Sequence, residues 1–176
     1  KRHRMHASLL ISHRRAKVMV DCGEDWLGRI DRIRPHAIVV THAHPDHAWG
    51  LKRGAPCPVY AAAAAWRSMR HFLPTDADRR VLRYGRVQKI EGIDFAAYPV
   101  EHSLRAPAVG YRIGVKGAVL FYAPDLVSIP NRIRVLRGVN LYIGDGAALS
   151  RAIIWRRARA RIGHTPIVRQ LDWCAG

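Results

Sequence analysis

Six consecutive positions, 42 to 47, read His-Ala-His-Pro-Asp-His, and this cluster constrains the chain more than any other feature. Imidazole nitrogens and carboxylate oxygens are ligands for zinc and related divalent cations. The cluster follows an apolar segment, 37–40, that has the composition of a buried strand. Because side chains alternate along a strand, His42 and His44 point to the same side if the extended backbone continues through them. The pattern therefore predicts a metal site at the end of a strand.

The residues after the second histidine predict a turn into a helix. Pro45 ends the strand, and Asp46 and His47 are expected to begin the helix. Two candidate ligands thus leave the strand end and two leave the turn, which is an arrangement that can hold two metal ions side by side. His47 is the residue that favours two ions over one. Asp46 has two roles open to it, as a ligand or as the group that orients and deprotonates a water molecule.

The cluster and four later or flanking segments make the chain similar to the metallo-β-lactamase fold hydrolases, in particular to their ribonuclease Z and cyclic phosphodiesterase branch. The cluster resembles the His-x-His-x-Asp-His motif of these enzymes, which also follows a strand. The matches occur in the family's order and extend over nearly the whole sequence. The other matching segments are 18–24, 101–103 with 110–113, 120–125 and 163–165.

The resemblance implies a ligand set for two divalent cations, zinc or else manganese. One cation would be held by three imidazoles, and Asp125 would bridge it to a second cation bound by two residues of the cluster. A hydroxide shared by the two cations would be the nucleophile of a hydrolytic reaction. The implied metal ligands are His42, His44 and His102 at the first site, Asp46 and His47 at the second, and Asp125 between them.

The resemblance also implies residues that act on the substrate. His164 would help the leaving group depart, and Asp145 would position that histidine, although a carboxylate between two glycines is also typical of a turn. Arg105, three residues after His102, is a candidate for binding a substrate phosphate. Asp21, at the end of the second strand, is expected to be an outer partner that orients a metal-binding histidine without contacting the metal itself.

Strand and helix patterns alternate along the chain, which predicts an α/β domain covering residues 1–176, the four-layer αβ/βα sandwich of the metallo-β-lactamase fold. Measured against that fold, the sequence is expected to lack terminal strands, including one that carries a last ligand histidine, because no histidine follows position 164. Thr165 is expected to cap the final helix. The predicted strands are 8–12, 17–21, 37–41, 59–61, 86–90, 94–100, 109–115, 118–123 and 140–143, and the predicted helices are 24–30, 46–52, 62–71, 147–161 and 165–174.

Net charge and cysteine content indicate the kind of substrate and the cellular location to expect. The net charge is +17, which favours an anionic substrate. The same charge is also explained by composition, since Arg outnumbers Lys by 25 to 5. Three cysteines without a Cys-x-x-Cys pair are typical of reduced thiols, which predicts a cytoplasmic location. No uncharged apolar stretch is long enough for a membrane span, so no membrane partner is expected.

The leading hypothesis is a metal-dependent phosphodiesterase that acts on a small or nucleotide phosphodiester. Two alternatives stay open. One is hydrolysis of a thioester, lactone or β-lactam by the same fold, because one fold serves many reactions. The other is a metal-poor, inactive member that binds nucleic acid through a basic face. Arginines of the predicted helix 147–161 are candidates for such a face. The sequence does not indicate an oligomeric state.

Overall fold

Two five-stranded sheets dominate the computed structural model, which describes residues 5–72, 78–157 and 160–175. The first sheet has its strands in sequence order. Its first pair is antiparallel and the remaining strands run parallel to one another. The strands are β1 (Leu9–His13), β2 (Ala16–Val20), β3 (Ala37–Val40), β4 (Val59–Ala62) and β5 (Arg79–Leu82).

The second sheet has the order β10-β9-β8-β7-β6 and is antiparallel except for the parallel pair of β9 and β10. A separate two-stranded antiparallel ribbon, β11–β12, follows it in the chain. The strands are β6 (Val87–Ile90), β7 (Ile93–Val100), β8 (Ala108–Val115), β9 (Ala118–Tyr122), β10 (Leu141–Ile143), β11 (Ile153–Arg157) and β12 (Ala160–His164).

Helical segments cover the outer faces of the sheets. They are short, and three of them are single 3₁₀ turns, at Glu24–Trp26, Ile30–Arg32 and Trp49–Leu51. Among the described residues, no helix is both long and apolar enough to span a membrane. The α-helices are α1 (Pro45–Ala48), α2 (Ala63–Ser68), α3 (Arg132–Leu136) and α4 (Ile167–Cys174).

The apolar alternation of the strands divides the core into layers. In β3, Val39 packs between the two sheets, whereas Ile38 packs under α2 against Trp66. All four residues of β3 are buried, as is usual for a parallel strand covered on both faces. On the second sheet, Phe121 packs outward, in the cluster that includes α3. Helix, sheet, sheet and helix thus form the predicted four-layer sandwich.

Most predicted elements are present with shifted ends, but the helix predicted at 147–161 is wrong. Its residues form β11 and the start of β12, with Trp155 paired to Ile162. The prediction relied on the spacing of Ile154, Ala158 and Ile162, four residues apart, whereas the β-branched run 153–154 and the cross-strand partners favour a ribbon. The predicted helix 24–30 is replaced by 3₁₀ turns. The sequence reading missed β5 and α3, and residues 158–159 lie outside the described part.

Two smaller predictions have clear outcomes. The cap of the last helix is different from the one predicted: Pro166 takes the N-cap position, and the buried hydroxyl of Thr165 has no hydrogen-bond partner among the described atoms. The cysteines are free thiols, as predicted, with Cys22 and Cys57 buried and Cys174 exposed.

Candidate metal centre

The candidate ligands gather at one edge of the sandwich because the chain delivers them from strand ends that meet there. His42 and His44 follow β3, and His102 follows β7. Asp125 follows β9, in the second sheet. The predicted strand-to-helix turn is present, since α1 starts at Pro45 directly after His44. Both sheets therefore contribute donors to one cluster.

Three imidazoles and one carboxylate form the first donor group. His44 Nδ1 lies 3.0 Å from His42 Nε2 and 3.2 Å from His102 Nε2. Asp125 Oδ2 lies 3.4 Å from His42 Nε2 and 3.6 Å from His102 Nε2. An ion with four tetrahedral bonds of about 2.0–2.1 Å places its ligand atoms about 3.3 Å apart. The spacing and the chemistry of these donors therefore fit a zinc-like divalent cation.

A second donor group lies directly beside the first and shares its carboxylate. His47 Nε2 is 3.1 Å from Asp125 Oδ2 and 3.4 Å from Asp46 Oδ2. His47 is buried, whereas the side chain of Asp46 is 48% exposed. Because Asp125 Oδ2 belongs to both groups, this carboxylate has the position of a bridge between two cations.

A buried carboxylate behind the cluster fixes the orientation of two imidazoles. Asp21 Oδ2 accepts a hydrogen bond from His47 Nδ1 at 2.8 Å. Asp21 also accepts bonds from the backbone N–H and the hydroxyl of Thr41. Because the Thr41 hydroxyl donates its proton to Asp21, its oxygen accepts from His42 Nδ1, 3.0 Å away. Both histidines thus direct Nε2 into the cluster, where it can bind a cation when it carries no proton.

The backbone of the β11–β12 ribbon fixes the third imidazole. His102 Nδ1 donates to the carbonyl oxygen of Gly163 at 3.0 Å, and the Gly163 N–H donates to the His102 carbonyl at 2.9 Å. Gly163 has a φ of +120°, and a Cβ there would lie 1.9 Å from the Ile153 carbonyl oxygen. Only glycine fits this position, so the contact depends on one residue of the ribbon.

His164 and Asp145 form a pair at the edge of the cluster. His164 Nδ1 lies 2.7 Å from Asp145 Oδ2, and the ring centroids of His164 and His102 are 5.1 Å apart. Asp145 is also within reach of Asp125 and His164 as a third group of donors. Its oxygens, however, accept bonds from the backbone N–H groups of Leu126 and Ala147 as well. Asp145 therefore orients His164, and its acceptor capacity is largely used.

Buried Gln170 on α4 holds the loop that carries this carboxylate. Its side-chain amide donates to the Asp145 carbonyl oxygen at 2.7 Å, and its oxygen accepts from the Asp145 N–H at 2.9 Å. The same oxygen accepts from the hydroxyl of Tyr142. The sequence reading missed this role, since a single glutamine in an otherwise amphipathic helix gives no local signal.

Burial and neighbouring groups shift the pKa values of the histidines and carboxylates in the cluster. Burial, followed by the nearby His42 and His102 rings, lowers the pKa of His44 to about 4. Burial lowers the pKa of His102 as well. Burial works against ionised Asp125, but hydrogen bonds from His42 and His47 overcome it and hold the pKa of this carboxyl far below its usual value. Neutral imidazoles around an ionised carboxylate are the state that binds a cation.

His47 has the opposite tendency. Burial disfavours its charged form, yet the charge of Asp21 and the hydrogen bonds to Asp125 and Asp21 raise the pKa of His47 far above its usual value. The hydrogen bond with His47 lowers the pKa of Asp46 to about 2, so this carboxylate is ionised at neutral pH. A proton on His47 thus provides the positive charge that a cation would bring to the second group.

A polar network outside the cluster connects the ribbon to the loop that carries His102. Arg161 of β12 donates to the carboxylate of Glu101 and to the hydroxyl of Ser128. Ser128 in turn donates to Glu101 at 2.7 Å. Sequence reasoning placed Arg161 in a helix and missed this network, whose members are up to 60 residues apart.

Arg105 lies in the loop between β7 and β8 and is exposed. Its backbone carbonyl oxygen is 3.4 Å from the hydroxyl of Ser68. The other site residues predicted from sequence are brought together at one edge, whereas the role of Arg105 in binding a phosphate stays a prediction.

Comparisons with known proteins agree with this architecture. A family model described as a beta-lactamase superfamily domain matches residues 16–176. A search of curated protein sequences gives no match. A diphosphatase from the PhnP family is similar in structure, with a TM-score of 0.69 and 24% identity, over 97% of this chain and 68% of that one.

Two further solved structures extend the likeness. Zn(2+)-bound PqqB from Methylobacterium extorquens has a TM-score of 0.70 and 19% identity, over 85% of this chain and 62% of that one. The short form of human tRNase Z has a TM-score of 0.68 and 18% identity, over 97% of this chain and 81% of that one. At these identities the likeness concerns the fold. Together with the family model, it shows that this chain has the metallo-β-lactamase fold and belongs to the beta-lactamase superfamily domain family.

Proposed function

We propose that this protein is a metal-dependent phosphodiesterase with a site for two divalent cations, zinc or manganese. The observation that carries the proposal is the His164–Asp145 pair beside two donor groups that share Asp125. Hydrolysis of a phosphodiester needs positive charge on the phosphoryl oxygens, an activated water molecule and a proton for the leaving alkoxide. The arrangement has residues suited to each of these needs.

The donor groups account for the first two needs. His42, His44 and His102 would hold one cation, Asp46 and His47 the other, and Asp125 would contact both. Bound cations would supply Lewis acidity toward the phosphoryl oxygen and a water molecule acidic enough to attack at neutral pH. Asp46, half exposed and ionised, faces the open side and can also accept a proton from the attacking water.

His164 accounts for the third need. The hydrogen bond from Nδ1 to Asp145, together with the nearby negative charges, raises the pKa of His164. A protonated imidazole can then donate its Nε2 proton to the oxygen of the leaving group. Asp145 keeps the ring in the tautomer and orientation that leave Nε2 free for this transfer. A diphosphatase and a tRNase Z among the structural neighbours are consistent with a phosphoryl substrate.

The direct test is hydrolysis of bis-p-nitrophenyl phosphate by metal-stripped protein, with zinc or manganese added back. We expect turnover that requires the metal and falls at least about 100-fold in His44→Ala, because removing a ligand costs more than the 10–100-fold lost with an outer partner. His71→Ala, which removes an exposed histidine outside the cluster, is the matched control and should keep wild-type turnover.

Zinc binding by calorimetry gives a second readout. Wild-type protein should bind two ions, and His44→Ala should bind fewer or bind more weakly. Binding of two ions without hydrolysis of the phosphodiester, but with hydrolysis of a thioester, lactone or β-lactam, would replace the proposed substrate class. Absence of metal binding in a folded wild-type protein would contradict the proposal as a whole.

A further inference from the structure

The β11–β12 ribbon has one end beside the candidate site, at His164, and has two distinct faces. Strand residues opposite each other in an antiparallel pair point to the same side. His164 is opposite Ile153, and Ile162 is opposite Trp155. Since alternate residues of one strand share a face, all four of these side chains lie on the face that carries His164.

The opposite face is the one that holds the ribbon in place. Arg161 belongs to it and bonds Glu101 and Ser128. The face with His164 is largely open by comparison. Trp155 is 60% exposed there, and Ile153 is 38% exposed. A tryptophan exposed to this degree next to other apolar side chains is typical of a binding surface.

Charge at the ribbon indicates what binds to this surface. Arg157 lies on the same face, two residues beyond Trp155, and is exposed. An aromatic ring beside a guanidinium group suits a ligand that combines a flat ring with phosphates. A second copy of this chain is a poor occupant, because it would bring like charges together on a protein with a net charge of +17.

We propose that Trp155 is a specificity residue on which the nucleobase of a nucleoside phosphodiester stacks while the scissile phosphate lies at the metal centre. This inference rests on the proposed phosphodiesterase function. Trp155 is opposite Ile162, which is two residues, or about 7 Å along the strand, from His164. The base stacked on Trp155 would therefore lie about 7 Å along the ribbon from His164, the proposed proton donor. Arg157 would contact a further phosphate of the same ligand.

The test compares two substrates with the same reacting group: the p-nitrophenyl ester of thymidine 5′-monophosphate and methyl p-nitrophenyl phosphate. Wild-type protein should prefer the thymidine ester. Trp155→Ala should raise KM for that ester about 10-fold with little change in kcat, because stacking on an aromatic side chain contributes about this much per base. The methyl ester should be unaffected, and Trp155→Phe should restore most of the preference.

Leu171→Ala provides the matched control, since Leu171 is an apolar residue of α4 with 62% exposure. It should leave both substrates unchanged. Equal effects of Trp155→Ala on the two esters, or no effect on either, would overturn the inference while leaving the phosphodiesterase proposal intact. A dimer that dissociates in Trp155→Ala during sedimentation would also overturn it, in favour of a self-association surface.

Binding to metal-free protein separates this inference from the activity. Thymidine 5′-monophosphate and an eight-residue oligothymidylate are the probes. Binding of either that weakens about 10-fold in Trp155→Ala would support the base-stacking role even if no ester is hydrolysed. Preference for the mononucleotide would indicate a small substrate, and preference for the oligonucleotide a nucleic-acid strand. No difference between wild type and variant with both probes would contradict the role.

Discussion

The inner end of the site and the ribbon beside it are built in opposite ways. Behind the cluster, Asp21 is fully buried and makes hydrogen bonds to Thr41 and His47. On the ribbon, Trp155 is 60% exposed and Arg161 is joined to Glu101 by a partly exposed ion pair. Buried polar networks are costly to break, whereas exposed pairs contribute little. The geometry of the candidate metal ligands is thus fixed by buried contacts, whereas the ribbon surface around Trp155 is held by weaker, exposed contacts.

The largest effect is expected at the inner end. Asp21→Asn keeps the side-chain size and a residue type that tolerates the φ of +62° found there. It removes the charge that pairs with buried His47, so we expect a loss of about 3 kcal/mol or more in the free energy of unfolding of metal-free protein. Urea denaturation measures this. Asp31→Asn, at an exposed position, should change it little. A loss below about 1 kcal/mol for Asp21→Asn would remove the distinction between the two regions.

The next effect is expected where the ribbon meets the cluster. Gly163→Ala places a methyl group against the Ile153 carbonyl and strains the backbone, so we expect a loss of about 2–3 kcal/mol and weaker zinc binding through misplaced His102. Gly117→Ala is the matched control. It also has a positive φ, of +86°, but open space around the added carbon, and should cost about 1 kcal/mol. Equal costs for the two variants would show that the close contact has no energetic role.

A smaller effect is expected at His164. Asp145→Asn replaces the ionised acceptor whose hydrogen bond and charge raise the pKa of His164, so this pKa should fall toward its usual value, and stability should drop by about 1–2 kcal/mol. An NMR pH titration of the imidazole in metal-free protein measures the shift. Asp172→Asn, exposed on α4, should leave the titration unchanged. If the pKa of His164 stays raised in Asp145→Asn, another carboxylate is its main partner.

The smallest effect is expected on the outer attachment of the ribbon. The side chains of Arg161 and Glu101 are 39% and 40% exposed, so Arg161→Met should reduce stability by less than about 1 kcal/mol, and less at high salt. Arg156→Met, at the cross-strand neighbour, should have no measurable effect. Chemical denaturation at two salt concentrations distinguishes these outcomes. A loss comparable to that of Asp21→Asn would mean that the ribbon is as rigidly built as the cluster.

The ligands at positions 42–47 could be predicted from sequence because they are neighbours in the chain and follow a recognisable strand. The His-Ala-His-Pro-Asp-His cluster follows a strand and starts a helix, as the structure has it. The supporting contacts are different, since they depend on the pairing of distant segments. The hydroxyl of Thr41 and the carbonyl oxygen of Gly163 orient His42 and His102. Segment 163–165 matches the family pattern, but the match does not indicate that the Gly163 carbonyl contacts His102.

The ribbon shows where sequence reasoning failed. Ala and Arg favour a helix by intrinsic propensity, and the spacing of Ile154 and Ile162 also fits a helix. The competing contributions are the pairing of Trp155 with Ile162 and the docking of Gly163 and Arg161 on the loop of His102. Contacts between distant segments override propensity, and the bond between Arg161 and Glu101 joins residues 60 positions apart, which no local window includes together.

The Nδ1 hydrogen bonds of the cluster have a thermodynamic consequence. His42, His47 and His102 are already held in their binding rotamers by partners that do not change when a cation arrives. Little side-chain conformational entropy is then lost on binding, a cost that reaches about 0.5–1.5 kcal/mol for each mobile side chain. We therefore expect a bound cation to exchange without a rearrangement of the fold, and the donor positions to discriminate among cations by radius and preferred coordination geometry.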